Sequence, residues 1–132
     1  MPSKHWLISA AMCAAIWPAA AGANVAETDF QVRTTADLVD LCTASSSEPM
    51  GTAALNFCHG FTVGVYRVLE EENAAKRIGR LFCVPDSAMP SRDEAIASFV
   101  QWAKASPDAM SQRPADGITG YLMQKYPCPR GK

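Results

Sequence analysis

Apolar residues recur at helical spacing along most of the chain, and the clearest run predicts a long second helix that begins at Pro49 and ends near Asn73. Its predicted buried stripe comprises Ala54, Phe57, Cys58, Phe61, Val65, Val68 and Leu69. Ser91 and Glu94 form a capping box before a third helix, and Pro114 stands near the start of a fourth. The buried residues predicted for these helices are Ile96, Phe99, Val100 and Ala103 in the third and Ile118, Tyr121 and Leu122 in the fourth.

The segments around these helices complete an all-α pattern of about four helices. Thr34 or Thr35 is placed to cap a short first helix that ends at Cys42. Residues 24–33 are expected to be an extended arm, and residues 81–85 an extended, buried apolar segment that stops at a proline. The remaining connections are a polar loop at 43–48, a basic connection at 74–79 and a short turn capped at Ser106.

The predicted second helix contains two glycines one turn apart. Gly60 and Gly64 each cost about 1 kcal/mol of helix stability relative to alanine. Such a pair predicts that another backbone passes close by, either in the interior of the monomer, which the small domain size favours, or across a homodimer. Gly117 and Gly120 weaken the last helix in the same way.

The first 23 residues have the order of an export signal. Lys4 provides a weakly positive start, residues 6–16 are apolar, and Ala21 to Ala23 supply a small-x-small cleavage site. The sequence therefore predicts export to the periplasm and a mature chain from Asn24, with no membrane segment after cleavage. A membrane anchor is the alternative, although the apolar run is short for a bilayer. A lipoprotein at Cys13 is a second alternative, although Met12 is large for lipidation.

Removing residues 1–23 from the 132-residue chain leaves 109 residues, which is enough for one domain over residues 24–132. That domain carries 11 basic and 13 acidic residues, a formal charge near −2. This balance lacks the basic surface that nucleic-acid binding requires. We therefore expect no nucleic-acid partner.

The four cysteines outside the leader are the strongest constraint on the fold. An even number of cysteines in a short exported chain predicts two disulfides, and four cysteines allow three pairings. We favour Cys42–Cys58, which joins the first two helices, and Cys83–Cys128, which ties the apolar segment to the C-terminus. Each would contribute about 3–4 kcal/mol. A zinc or redox site is disfavoured because the chain has no Cys-x-x-Cys pair.

Residues that often carry catalysis are sparse, so we expect neither an enzyme nor a cofactor or metal. His59 adjoins Cys58, but consecutive helical residues do not face each other, which disfavours a Cys-His nucleophile. No phosphate-binding loop or nucleophilic serine elbow is present. Tyr66 and Trp102 are interpreted as core-edge residues, with interface anchors as the alternative. The acids at 70–72 are interpreted as a solvated helix end or a partner-binding patch.

The assembled motifs resemble the Rap/Tai immunity proteins, which are small periplasmic proteins associated with amidase toxins of type VI secretion. The similarity consists of short stretches that occur in the order typical of that family and span most of the mature chain. They are Thr34 to Leu38, Leu41-Cys42, Cys58 to Phe61, Gly64-Val65, Phe82 to Pro85 and Tyr126 to Cys128. The resemblance implies a mostly helical fold, a peptidoglycan amidase as the partner, and steric blocking of that partner's active site.

The resembling motifs are scaffold positions and do not identify the inhibitory surface. The exposed candidates are the loop at 44–50, the end of the second helix and the connection at 107–113. Their candidate partner-binding residues are Glu48, Glu70, Glu71, Glu72 and Asp108. The alternative functions are a periplasmic stress or chaperone-like binder, a structural envelope subunit and, least favoured, a hydrolase or redox enzyme.

Overall fold

The computed structural model describes residues 24–75 and 79–129, so the predicted leader and part of the basic connection lie outside the described residues. The described residues form five α-helices: α1 Thr35–Cys42, α2 Gly51–Ala75, α3 Arg92–Lys104, α4 Pro107–Met110 and α5 Pro114–Lys125. Two short 3-10 helices occupy Glu27–Gln31 and Asp86–Ala88. The all-α prediction is confirmed. The single turn of α4 is the predicted short turn, and the four longer helices are those that the pattern indicated.

The short helix α1 lies at the centre of the fold. It contacts all four other α-helices and the first 3-10 helix, and Leu38 and Leu41 are fully buried on it. Burial of each such leucine contributes about 1.5–3 kcal/mol. Thr34 begins the helix as a capping box, because its hydroxyl accepts the Asp37 N–H while the Asp37 carboxylate accepts the Thr34 N–H at 2.9 Å.

The predicted inward faces of α3 and α5 are confirmed. All four predicted residues of α3 and all three of α5 are buried. The two helices meet through aromatic rings, with the Phe99 and Tyr121 centroids 5.8 Å apart in an edge-to-face arrangement. The predicted capping box of α3 is also present, since the Ser91 hydroxyl accepts the Glu94 N–H and the Glu94 carboxylate accepts the Ser91 N–H.

Both favoured disulfide pairings are confirmed. Cys42 is bonded to Cys58, which joins the end of α1 to the first half of α2. Cys83 is bonded to Cys128, which joins the segment after α2 to the chain beyond α5. The Cys83 N–H also donates to the Tyr126 carbonyl at 2.8 Å, so a backbone hydrogen bond supports the second link.

The start of α2 differs from the prediction, because Pro49 lies in a turn before the helix. The Glu48 carboxylate accepts the Ser45 N–H at 2.5 Å, and the Glu48 carbonyl accepts the Gly51 N–H at 3.0 Å. Gly51 packs so closely on this turn that a Cβ there would lie 1.7 Å from the Ser45 carbonyl oxygen. The tight turn therefore delays the helix until Gly51.

The described part of α2 extends to Ala75, beyond the predicted end near Asn73. The Asn73 side chain does not cap the helix; it forms hydrogen bonds with the segment that follows α2. Its amide Nδ2 donates to the Phe82 carbonyl at 3.0 Å, and its Oδ1 accepts the Leu81 N–H at 2.8 Å. These two bonds hold the apolar segment along α2, with Phe82 buried as predicted.

The N-terminal arm is not simply extended, because residues Glu27–Gln31 form a 3-10 helix. The Asp29 carboxylate accepts the Ala26 N–H at 2.8 Å and thereby caps this turn. Val25 precedes it and is buried in the core.

The predicted buried stripe of α2 is only partly correct. Ala54 and Cys58 are buried, and Phe61, Val65 and Leu69 are partly buried against the core. Phe57 and Val68 are 36% and 64% exposed, so their predicted burial is wrong. The physical reason is that α1, α3 and α5 all pack against the same side of α2, the side that carries Ala54 and Cys58. The core therefore covers a narrower strip of α2 than the apolar pattern spans.

The two glycines of α2 do not pack inside the monomer. Gly60 and Gly64 are exposed, and apart from adjoining residues and the backbone of the helix itself no described atom lies within 4 Å of a Cβ placed at either position. The monomer-interior interpretation is therefore wrong, whereas the homodimer contact stays a prediction. The close approach occurs on α5 instead, where a Cβ on Gly117 would lie 2.3 Å from the Thr35 Oγ1 of α1.

Candidate partner-binding surfaces

The candidate acidic residues do not form one site. Glu48 precedes α2 and Glu70 to Glu72 lie towards its other end. At 1.5 Å per helical residue, the two groups are separated by about 30 Å along the helix. Asp108 lies on α4, which packs with α1, α3 and α5. A compact partner surface can therefore include one of these groups and not all of them.

Several of these carboxylates already have partners within the chain. The Glu70 Oε2 lies 2.6 Å from the Arg67 Nη1, and this hydrogen bond raises the pKa of Arg67. The Glu48 carboxylate is held by the Ser45 N–H, as described above. Glu72 is half-buried, whereas Glu71 and Asp108 are exposed. Glu71 is therefore the most accessible acid at the end of α2.

An exposed strip of apolar and small residues runs along the side of α2 that the core does not cover. We call it the outer face of α2, and it comprises Phe57, Gly60, Gly64 and Val68. The spacing of three or four residues places these positions on one side of the helix. Phe57 is anchored at one end by ring contacts with Phe30 and Phe61, at centroid distances of 5.6 and 6.1 Å. The strip combines an aromatic residue with two positions where another backbone can approach closely.

Sequence reasoning missed this surface because it assigned Phe57 and Val68 to the core. The signal was nevertheless present, since the two glycines share a face with the two apolar residues. Glycines one turn apart on a helix usually mark a place where another backbone packs closely. Gly60 and Gly64 therefore indicated a contact surface separate from the core.

The two aromatic residues singled out from the sequence lie at the edge of the core, as predicted. Trp102 is half-buried, and its Nε1–H donates to the Gln124 Oε1. The Tyr66 ring lies 6.1 Å from that of Phe82, and the Arg67 guanidinium lies 5.9 Å from the Tyr66 centroid. Burial, and then the neighbouring Glu70, raise the pKa of Tyr66. Neither ring projects from the surface as an isolated anchor.

The environment of His59 is that of a surface residue. Its neighbour Cys58 is bonded to Cys42, so no thiol is available there for a Cys-His nucleophile. The His59 Nε2 lies 3.7 Å from an Asp93 carboxylate oxygen, in a pair that joins α2 to α3. Within residues 24–75 and 79–129 no group of three or more His, Cys, Asp or Glu side chains is arranged to hold a metal ion. The same residues include no helix that is long and apolar enough to cross a membrane.

A cavity of about 250 Å³ opens between α2, α3 and α5. Its walls are mainly apolar and include Val63, Ile96, Phe99, Ile118 and Leu122. Arg67 and Arg92 also contribute to its lining, and no carboxylate does so among the described residues. Among the described residues its charged lining groups are cationic, and one of them, Arg67, is paired with the candidate acid Glu70.

Comparison with known proteins identifies one family. The model of the Rap1a immunity proteins matches residues 34–128, which is well over half of the chain. No curated protein and no solved structure matches the chain. The matched region begins at the cap of α1 and ends at Cys128, so it contains all five α-helices and both disulfides.

Proposed function

The chain belongs to the Rap1a immunity protein family, and we propose that it binds a cell-wall amidase toxin of type VI secretion and blocks the active site of that toxin in the periplasm. The observation that carries this proposal is the family match over residues 34–128. An immunity protein acts against an effector toxin, and the resemblance of the sequence motifs to Rap/Tai proteins adds the amidase as the class of target.

The structure is well suited to inhibition by steric occlusion. Two disulfides and a central helix in contact with all the others hold the described chain as one body. A rigid inhibitor loses little conformational entropy on binding, so more of the contact energy remains as affinity. The proposed role is binding without catalysis.

The proposed location rests on chemistry as well as on the leader. Disulfides persist in oxidising compartments such as the periplasm and are rare in the reducing cytosol. The two disulfides of this chain therefore support export. A toxin that cleaves peptidoglycan would be met in the same compartment.

We place the toxin contact on the outer face of α2, with Glu71 beside it. Among the described residues Val68 is the most exposed large apolar side chain, at 64%, and Glu71 follows it by three positions on the same side of the helix. Burying such a strip against a partner removes apolar surface from water. A second copy of this chain is the competing occupant of the face, as the glycine pair predicts.

The decisive experiment is neutralisation of toxin. The full chain is exported together with each member of a panel of type VI amidases, and growth and peptidoglycan cleavage are measured. We expect protection against one amidase, with loss of protection in Val68→Asp and retention in Met123→Asp, a control at an apolar α5 residue that is 46% exposed. No protection against any amidase by a folded, oxidised protein would refute the function. Equal effects of the two variants would refute the surface.

A chaperone-like or structural binding role is the second candidate, and the exposed apolar strip on α2 favours it. Such a protein would suppress aggregation of unrelated periplasmic proteins or join an envelope complex. If the exported protein suppresses aggregation of several clients at equimolar ratio and binds no amidase, this second function replaces the first. Sedimentation of the wild type and Gly60→Leu in parallel distinguishes a homodimer from both.

A further inference from the structure

We propose that the cavity between α2, α3 and α5 is a binding site for a small amphipathic carboxylic acid, whose apolar body enters the cavity and whose carboxylate pairs with Arg92. This inference does not depend on the proposed toxin contact, because none of the four residues of the outer face of α2 lines the cavity. Three features of the cavity support it: its size, its charge and a buried, weakly partnered hydroxyl in its wall.

The volume selects a ligand smaller than most cofactors. A dry cavity of about 150 Å³ holds benzene, and sites for drug-sized ligands start at about 300 Å³. At about 250 Å³, the cavity has room for a ligand with about 10–12 non-hydrogen atoms. Met89 forms part of the wall and is 60% exposed. A flexible methionine adapts to ligands of different shape.

The charge of the lining selects an anion. Arg67 is already paired with Glu70, whereas Arg92 has no ion pair among the described residues. The two acids that follow Arg92 on α3 are engaged elsewhere, because Asp93 faces His59 and Glu94 accepts hydrogen bonds from Ser91. Arg92 is therefore an available cation at the edge of an apolar cavity. That combination fits a carboxylate with an apolar body.

The wall also contains a buried hydroxyl with only a weak partner. Tyr121 is 4% exposed and lines the cavity, and its hydroxyl makes no hydrogen bond of ordinary geometry within the described part of the chain. Its neighbour is Tyr126, whose pKa is raised first by burial and then by the charge and hydrogen bonding of Tyr121. A buried hydroxyl with so weak a partner is a group that a bound polar atom or water can satisfy.

The test is a titration of the exported, oxidised protein with 4-phenylbutyrate, followed by two-dimensional NMR. The matched neutral probe is 4-phenylbutanol, which has the same apolar body and no charge. We expect saturable shifts at cavity residues, with a dissociation constant on the order of 0.1–1 mM for a ligand of this size. The acid should bind about twofold to fivefold more tightly than the alcohol, as is typical of an exposed ion pair.

Two variants and one control make the test specific. Ala95→Trp fills the cavity from α3 and should abolish the shifts. Arg92→Gln should remove the preference for the acid without loss of fold, because Arg92 is exposed. Arg113→Gln removes an exposed arginine outside the cavity and should change nothing. Absence of saturable shifts, or shifts that persist in a folded Ala95→Trp protein, would overturn the site. Equal affinity for acid and alcohol in the wild type would overturn the carboxylate assignment.

Discussion

Replacement of Gly117 by alanine should destabilise the protein, even though alanine is the better helix former. Gly117 is buried where α5 crosses α1. A Cβ at this position would lie 2.3 Å from the Oγ1 and 3.1 Å from the Cγ2 of Thr35. Thr35 has little freedom to move, because it is fully buried and its hydroxyl donates to the carbonyls of Gln112 and Arg113 at 3.2 and 3.4 Å.

The expected magnitude follows from three opposing contributions. Alanine gains about 1 kcal/mol over glycine in helix propensity. Overpacking against an immobile neighbour costs about 1–3 kcal/mol. Displacement of the Thr35 hydroxyl from its carbonyl partners costs about 0.5–1.5 kcal/mol more. The Gly117→Ala protein is therefore expected to lose about 0.5–3.5 kcal/mol of unfolding free energy.

Urea unfolding of the oxidised protein measures this loss, and α2 provides matched controls. Gly60→Ala and Gly64→Ala make the same chemical change at positions where the new Cβ would meet no described atom within 4 Å beyond adjoining residues and the helix's own backbone. They should stabilise a monomer by up to about 1 kcal/mol each. Measurements at two protein concentrations separate this effect from any self-association.

A double-mutant cycle isolates the contact itself. In a Thr35→Ala background the obstructing Oγ1 and Cγ2 atoms are gone, so Gly117→Ala should become neutral or stabilising, and the coupling between the two positions should exceed about 1 kcal/mol. If Gly117→Ala stabilises the protein as much as Gly60→Ala does, or if the two positions do not couple, the close crossing of α1 and α5 is incorrect.

Three further predictions concern the links around the core. Joint replacement of Cys83 and Cys128 by serine opens a link between residues 45 positions apart and should cost about 4 kcal/mol of unfolding free energy, visible as a lower urea midpoint. Asn73→Ala should cost about 1–3 kcal/mol of unfolding free energy, because the Leu81 N–H and the Phe82 carbonyl lose their partners. Asn73→Asp should lose less, because its carboxylate can still accept the Leu81 N–H. Equal stability of both variants and the wild type would contradict a stabilising role for these two hydrogen bonds. Hydrogen bonds from Ser91 hold the pKa of Glu94 below its ordinary value of 4.5. The capping interaction of the ionised carboxylate therefore stabilises the fold above that value, and this contribution is lost as the pH falls through the lower pKa of the folded state. The difference in unfolding free energy between wild type and Glu94→Gln should shrink between about pH 6 and about pH 3.

The partner-binding surface was less predictable than the fold. The predicted acidic residues are separated in the structure, and the outer face of α2 emerges from residues that the periodicity assigned to the core. Periodicity reports that one side of a helix is apolar, but it does not report how much of that side another helix reaches. The cavity was not predictable either, since its walls come from three helices far apart in the chain and its volume depends on how they cross.

The sequence by itself predicted a helix cap at Thr34 or Thr35 and another at Ser91, as well as the inward faces of α3 and α5, and it favoured the observed disulfide pairs among three possible pairings. These features depend on interactions within a few residues, or on the small number of ways in which four cysteines can pair. Only the tertiary structure decided which glycine accommodates a neighbour, because α1 crosses α5 at Gly117 and leaves the glycines of α2 exposed. It also decided that α2 presents an uncovered strip, since its neighbours α1, α3 and α5 pack against the other side of the helix.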